Sequence, residues 1–152
     1  MTNLAAALPR LLPLAVAWVE AQEAHVLATG QTLSDSGTQL AIAVGVQRPD
    51  LVRVKVVDQL PQPTHPELLA VGLQTGLLGP QMAGITFSHA IFIRQGQVTN
   101  RLLSHELRHV HQYETFRSIG AFLASYLTQI ASVGYDLSPL EVDARQHERD
   151  AP

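Results

Sequence analysis

Two histidines and a glutamate stand at a spacing with chemical meaning: His105-Glu106-Leu107-Arg108-His109, an H-E-x-x-H pattern. On an α-helix, residues i and i+4 lie one turn apart on the same face. Both imidazoles can then reach one Zn²⁺, leaving positions for a third ligand and a water. Glu106 is rotated by about 100° from His105. It is badly placed to ligate and well placed to take a proton from a water that the metal activates. The chain holds seven His in 152 residues, so the spacing alone is insufficient and the surrounding pattern has to support it.

That pattern reads as a helix. From Leu102 to Phe116 the apolar residues are Leu102, Leu103, Leu107, Val110, Tyr113 and Phe116, spaced mostly as one buried stripe requires. Thr99 or Asn100 offers an N-cap after the turn-like Gln95-Gly96-Gln97, and Gly120 offers a stop. Both motif histidines then sit beside the stripe, facing inward.

A third ligand has to come from further along. A second apolar run, Ile119–Val133, leads to Gly134-Tyr135-Asp136-Leu137-Ser138-Pro139. Gly134 suits a helix end, Ser138 an N-cap and Pro139 the first helical position. Glu141 falls in the first turn of the helix that follows, and the small Ala144 on nearly the same face permits close approach to the motif helix. The helix dipole alone would also favour a carboxylate there. Asp143 is a rival ligand. His111 points to another helix face. His147 lies in the charged stretch Arg145–Asp150, which reads as a solvated, fraying tail. Tyr113, Tyr126 and Tyr135 are candidate donors to a developing oxyanion, and Tyr135, just before the Glu141 helix, is the best placed.

His105-Glu106-x-x-His109 on one helix, with Glu141 on a later one, resembles the gluzincin class of zincin metallopeptidases, especially its small single-domain members. The resemblance covers about two fifths of the chain, from Gly84 to Arg145. It implies His105, His109 and Glu141 as zinc ligands and Glu106 as general base. No Gly and third His follow His109 closely, so the metzincin pattern does not fit. Many gluzincins carry an Asp one turn after the Glu ligand to fix an imidazole. Arg145 stands there in this chain, which leaves Asp143, Gln112 or Glu114 to orient the ligands, a role on which metal affinity depends.

The rest of the chain must position these groups. At 152 residues, 46% hydrophobic and 15% charged, one globular domain is expected. Residues 1–98 would form one side of a cleft and residues 99–149 the motif helix and its successors. A net charge of −3 without a basic cluster argues against nucleic acid. The absence of cysteine excludes disulfides and thiolate chemistry. No phosphate-binding glycine loop or G-x-S-x-G elbow occurs. Near the start, Arg10, the apolar Leu11–Val19 and Ala15-Val16-Ala17 resemble a secretory signal, but Pro13 interrupts the run. A structural helix over 11–28 is favoured, and with it a cytoplasmic over a secreted protein. No stretch reaches the ~18 uninterrupted apolar residues of a membrane span.

Further elements follow from pattern. A second helix is expected over Thr38–Val46, capped by Asp35 or Ser36 and ended by Pro49. Leu51–Asp58 alternates as a strand, and Glu67–Gly76 suits a short helix. Gly84–Arg94 reads as one strand with Ile85, Phe87, Ile91 and Ile93 on one face, and His89 on that apolar side as a satisfied core residue. The resemblance to zincins implies that this strand edges the cleft and pairs with an extended peptide.

The expected fold is therefore α+β and zincin-like, with a small sheet beside the H-E-x-x-H helix and later helices completing the site. The expected function is a zinc peptidase acting on a peptide or protein, with no nucleic-acid or membrane partner. The rival reading is a non-catalytic zinc-binding domain with a structural or partner-binding role, which four closed protein ligands would favour.

Overall fold

Four short strands and six α-helices make up the computed structural model, which describes residues 3–152. The first helix, α1, runs from Leu4 to Thr29. It begins well before Leu11, because Asn3 caps it by accepting from the Ala6 N–H and because Leu4-Ala5-Ala6-Ala7-Leu8 are good helix formers. Pro9 and Pro13 are carried inside it. Its inner face buries Ala7, Leu11, Ala15, Val19 and Val26. Among the described helices, α1 is the one long and apolar enough to cross a membrane, a property that core helices and signal sequences share with membrane spans.

β1 (Gln31–Thr32) follows, then α2 (Asp35–Ala43). The α2 cap is Ser34, which accepts from the Gly37 N–H, one residue ahead of Asp35. After a 3₁₀ turn at Pro49–Leu51 come β2 (Arg53–Val57) and α3 (Pro66–Thr75), which ends at Gly76 in the left-handed region.

The expected single strand over 84–94 is a hairpin. β3 (Gly84–Phe87) turns at Ser88-His89 into β4 (Ala90–Arg94). Ser88 has φ +61° and His89 does not share the positive sign, the pattern of a type II′ turn. The turn changes the parity of the faces. In a continuous strand Phe87 and Ile91 would share a face. In the hairpin Phe87 opposes Ala90 and Thr86 opposes Ile91. Phe87, Ala90 and Phe92 therefore join α1 in one core, while Ile91 and Ile93 join Leu40, Val44, Leu107 and Val110 in another. His89 belongs to the turn, with Nε2 3.2 Å from Glu114 Oε2.

The sheet order is β1-β2-β4-β3, with β2 and β4 parallel and the outer pairs antiparallel. β3 is thus an edge strand. Arg94 N–H donates to the Ala83 carbonyl, so by antiparallel alternation Gly84 and Thr86 turn their backbone groups away from β4.

Three helices complete the chain. α4 (Asn100–Phe116) carries the H-E-x-x-H residues; Thr99 caps it, and it ends at Arg117, not Gly120. α5 (Ile119–Val133) is capped by Ser118. It packs on both α1 and α4 and so links the two layers on either side of the sheet. α6 (Pro139–Gln146) starts with Ser138 and Pro139 and packs on α4.

Candidate metal centre

α4 and α6 bring three side chains to one point. His105, His109 and Glu141 each offer a ligand atom, and these atoms lie within 4.8 Å of one another. His109 Nε2 is 2.9 Å from Glu141 Oε2, and His105 Nε2 is 3.3 Å from Glu141 Oε1. Glu141 is 1% exposed. Its Oε2 accepts from the Tyr126 hydroxyl at 2.6 Å, but its Oε1 is buried without a hydrogen-bond partner. An unpartnered buried carboxylate oxygen costs free energy. A cation between Oε1 and the two imidazoles would supply what is missing. The donor set, two imidazoles and one carboxylate, suits a divalent metal.

The far nitrogens of both rings are held. His109 Nδ1 donates to Gln112 Oε1 at 2.7 Å. Gln112 in turn donates to the Leu140 carbonyl and to Asp143 Oδ2, at 2.9 and 2.8 Å. His105 Nδ1 donates to Glu148 Oε1 at 3.2 Å, and the other oxygen of Glu148 meets Arg101 at 3.1 Å. Both rings therefore present Nε2 to the shared point.

His109 and Glu141 shape each other's charge. Burial alone would lower the His109 pKa, but the Glu141 charge, its hydrogen bond and Glu106 raise it to about 9. Burial likewise opposes the Glu141 charge, yet His109 beside it holds its carboxyl well below the usual range. Burial and the Glu141 charge push the Tyr126 phenol far up, so it remains a donor.

Glu106 lies beside this cluster and is 4% exposed. Thr86 on β3 donates to its Oε2 at 2.6 Å. The carboxylate rests on the backbone of Gly84, where an added Cβ would stand 2.9 Å from Oε1 and 3.2 Å from Cγ and Cδ. A glycine at 84 lets the strand come this close.

The other candidates lie elsewhere. Asp143 pairs with Arg108 Nε at 2.8 Å, and among the alternatives of Asp143, Gln112 and Glu114, Gln112 is the one that meets an imidazole of the cluster. His111 Nδ1 donates to the Gly45 carbonyl and His147 Nδ1 to the Asp143 carbonyl, each at 2.7 Å. Glu114 accepts from the backbone N–H groups of Gln47 and Arg48. Tyr113 stacks on Phe122 with centroids 3.7 Å apart. Tyr126 donates to Glu141 Oε2 at 2.6 Å, and Tyr135, in the loop before α6, lies against the same carboxylate.

Two supports were not legible in the sequence. Thr86 had only its place on a strand. Glu148 lies in the stretch read as a fraying tail, but that tail docks on the start of α4. Arg149 N–H donates to Ser104 Oγ at 2.8 Å, and Asn100 donates to the Asp150 carbonyl at 3.0 Å. The one sequence signal was that Glu148 is an acidic residue following a helix already assigned to the site.

Compared with protein-family models, curated proteins and solved structures, the chain finds no match.

Proposed function

We propose that the protein is a zinc-dependent peptidase with a zincin-like arrangement. The observation that carries this reading is the buried, unpartnered Oε1 of Glu141 facing two imidazoles whose other nitrogens are already held. Three ligands and not four support an open site over a closed structural one: among the described residues, neither His89, His111 nor His147 joins the cluster. Zinc is favoured by the His₂–carboxylate set.

When bound, the metal would polarise the substrate carbonyl and make water a stronger acid. The residues of the chain supply the rest. Glu106, fixed by Thr86 over Gly84, takes one proton from the attacking water as the new C–O bond forms. It returns that proton to the amine nitrogen as the C–N bond breaks. Gln112 and Glu148 keep both imidazoles turned toward the metal. Tyr126 holds the Glu141 carboxylate in place. Tyr135 lines the same cavity as Glu106 and Glu141, and partial burial and the Glu141 charge push its phenol far above its ordinary value. It is the remaining donor for charge developing on the carbonyl oxygen. The free edge of β3, at Gly84 and Thr86, would receive the extended backbone of the substrate.

The test is hydrolysis of a quenched-fluorescent peptide pool by protein stripped of metal and then reloaded with one equivalent of zinc. Activity restored by zinc and removed by a chelator is expected. A reloaded protein that cleaves nothing would overturn the reading.

A further inference from the structure

We infer that Asp143 and Arg108 are positioning residues for His109: they fix the direction of the Gln112 amide, and through it decide which nitrogen of the His109 ring is free to meet a cation. The inference rests on the reading of His109 as a metal ligand and not on what the metal centre hydrolyses. Gln112 is 4% exposed, so its amide finds its partners inside the protein. Its Nε2 stands 2.9 Å from the Leu140 carbonyl and 2.8 Å from Asp143 Oδ2. Both are acceptors, and an amide nitrogen has two hydrogens to give. The amide oxygen therefore points the other way, at His109 Nδ1.

The opposite orientation has a definite consequence. Turned over, the amide would set its oxygen against a carbonyl and a carboxylate, and would offer an N–H to Nδ1. A neutral ring that accepts at Nδ1 carries its proton on Nε2, the nitrogen that faces Glu141 Oε2 at 2.9 Å. That nitrogen could not then ligate. The acceptors behind Gln112 thus decide whether His109 presents a lone pair or a proton. The Leu140 carbonyl is backbone and any residue would supply it. Asp143 is a choice of side chain, and its charge strengthens the hydrogen bond it accepts.

Arg108 keeps Asp143 in place. Its Nε donates to Oδ2 at 2.8 Å and its Nη2 to Oδ1 at 3.1 Å, the two-pronged geometry of a guanidinium on a carboxylate. Its Nη1 donates to the Val44 carbonyl at the end of α2, at 2.7 Å. Arg108 and Gln112 stand one turn apart on α4, so one helix face grips a single carboxylate of α6 twice. The site thereby depends on a position that the H-E-x-x-H pattern leaves unspecified.

The test measures zinc affinity by competition against a chelator, together with the ring N–H proton of His109 in NMR spectra of isotope-labelled, zinc-loaded protein. Asp143→Ala should weaken zinc binding about 10-fold, the low end for removing a support behind a ligand, and should speed exchange of that proton with water. Asp143→Asn, whose amide oxygen still accepts from Gln112, should restore most of both. Arg108→Gln releases Asp143 from its clamp and should produce a loss in the same direction, so the inference stays testable if Asp143→Ala does not fold. Gln112→Leu removes the link between Asp143 and the ring. In that background Asp143→Ala should cost less than about a further twofold, whereas a residue that only packs α6 on α4 would cost the same in both backgrounds. Wild-type zinc affinity in the folded Asp143→Ala and Arg108→Gln variants, or losses that add, would overturn the inference and leave the metal centre standing. A wild-type protein that takes up no zinc would overturn both.

Discussion

Glu148 places its carboxylate 3.2 Å from Nδ1 of His105, across from the Nε2 that faces Glu141. A residue beyond α6 thus orients one of the two candidate imidazole ligands. It occupies the role that an Asp one turn after Glu141 would have filled, where Arg145 stands. Removing such a support typically weakens metal binding by about 10- to 100-fold. Glu148→Ala should show that loss in a competition titration against a chelator, with Glu148→Asp restoring part of it. Wild-type affinity in the alanine variant would mean that the tail is only packed there.

Glu106→Gln should retain one zinc per chain and lose hydrolysis by about 10²- to 10⁴-fold, the usual worth of a positioned base. Metal content and turnover measured on one preparation separate the two effects. Loss of zinc in this variant would make Glu106 a ligand.

Gly84→Ala tests the seat of that carboxylate. The new methyl would meet Glu106 Oε1 at 2.9 Å, so Glu106 has to shift. Misplacement of a catalytic group by about 1 Å can cost ~10²-fold in rate. A fall in kcat of that order with unchanged zinc affinity is the expected result, and wild-type kcat would show that the Glu106 position is not critical.

Zinc should stabilise the fold. At free metal 100 times its Kd, the gain is about 2.7 kcal/mol, or a rise in Tm of roughly 5–10 °C for a chain this long. Thermal melts with zinc and with a chelator measure it. His109→Ala should abolish the difference. A wild-type Tm indifferent to zinc would show that no metal binds at useful affinity.

Arg117 ends α4 with φ +67°, a conformation that costs a non-glycine residue about 1–2 kcal/mol. Part of that gain is offset by the greater freedom of glycine in the unfolded chain. Arg117→Gly should therefore raise stability by about 0.5–1 kcal/mol in urea titration, leaving zinc affinity unchanged. A destabilised variant would show that the arginine side chain contributes more than its backbone strain.

Much of α4 through α6 was legible in local pattern. The apolar stripe of α4, the Gly134 end and the Ser138-Pro139 start each act within a turn or two of chain. The H-E-x-x-H spacing fixed the face shared by His105 and His109 by helix geometry alone. The β3–β4 hairpin was not legible, because Ser88-His89 lacks the glycine or asparagine that usually marks such a turn. Missing that turn inverted the assignment of Ile91 and Ile93 relative to Phe87.

The sequence by itself determined which side chains share a turn of helix and where α5 ends and α6 begins, since those depend on neighbours within about four residues. Only the tertiary structure decided that Glu141 meets both imidazoles, that Thr86 and Gly84 seat Glu106, and that Glu148 returns to His105. Those contacts join residues 20 to 43 positions apart. They are set by how the helices and the edge strand pack together, and that packing is decided by burial of the whole apolar surface and not by any local run of residues.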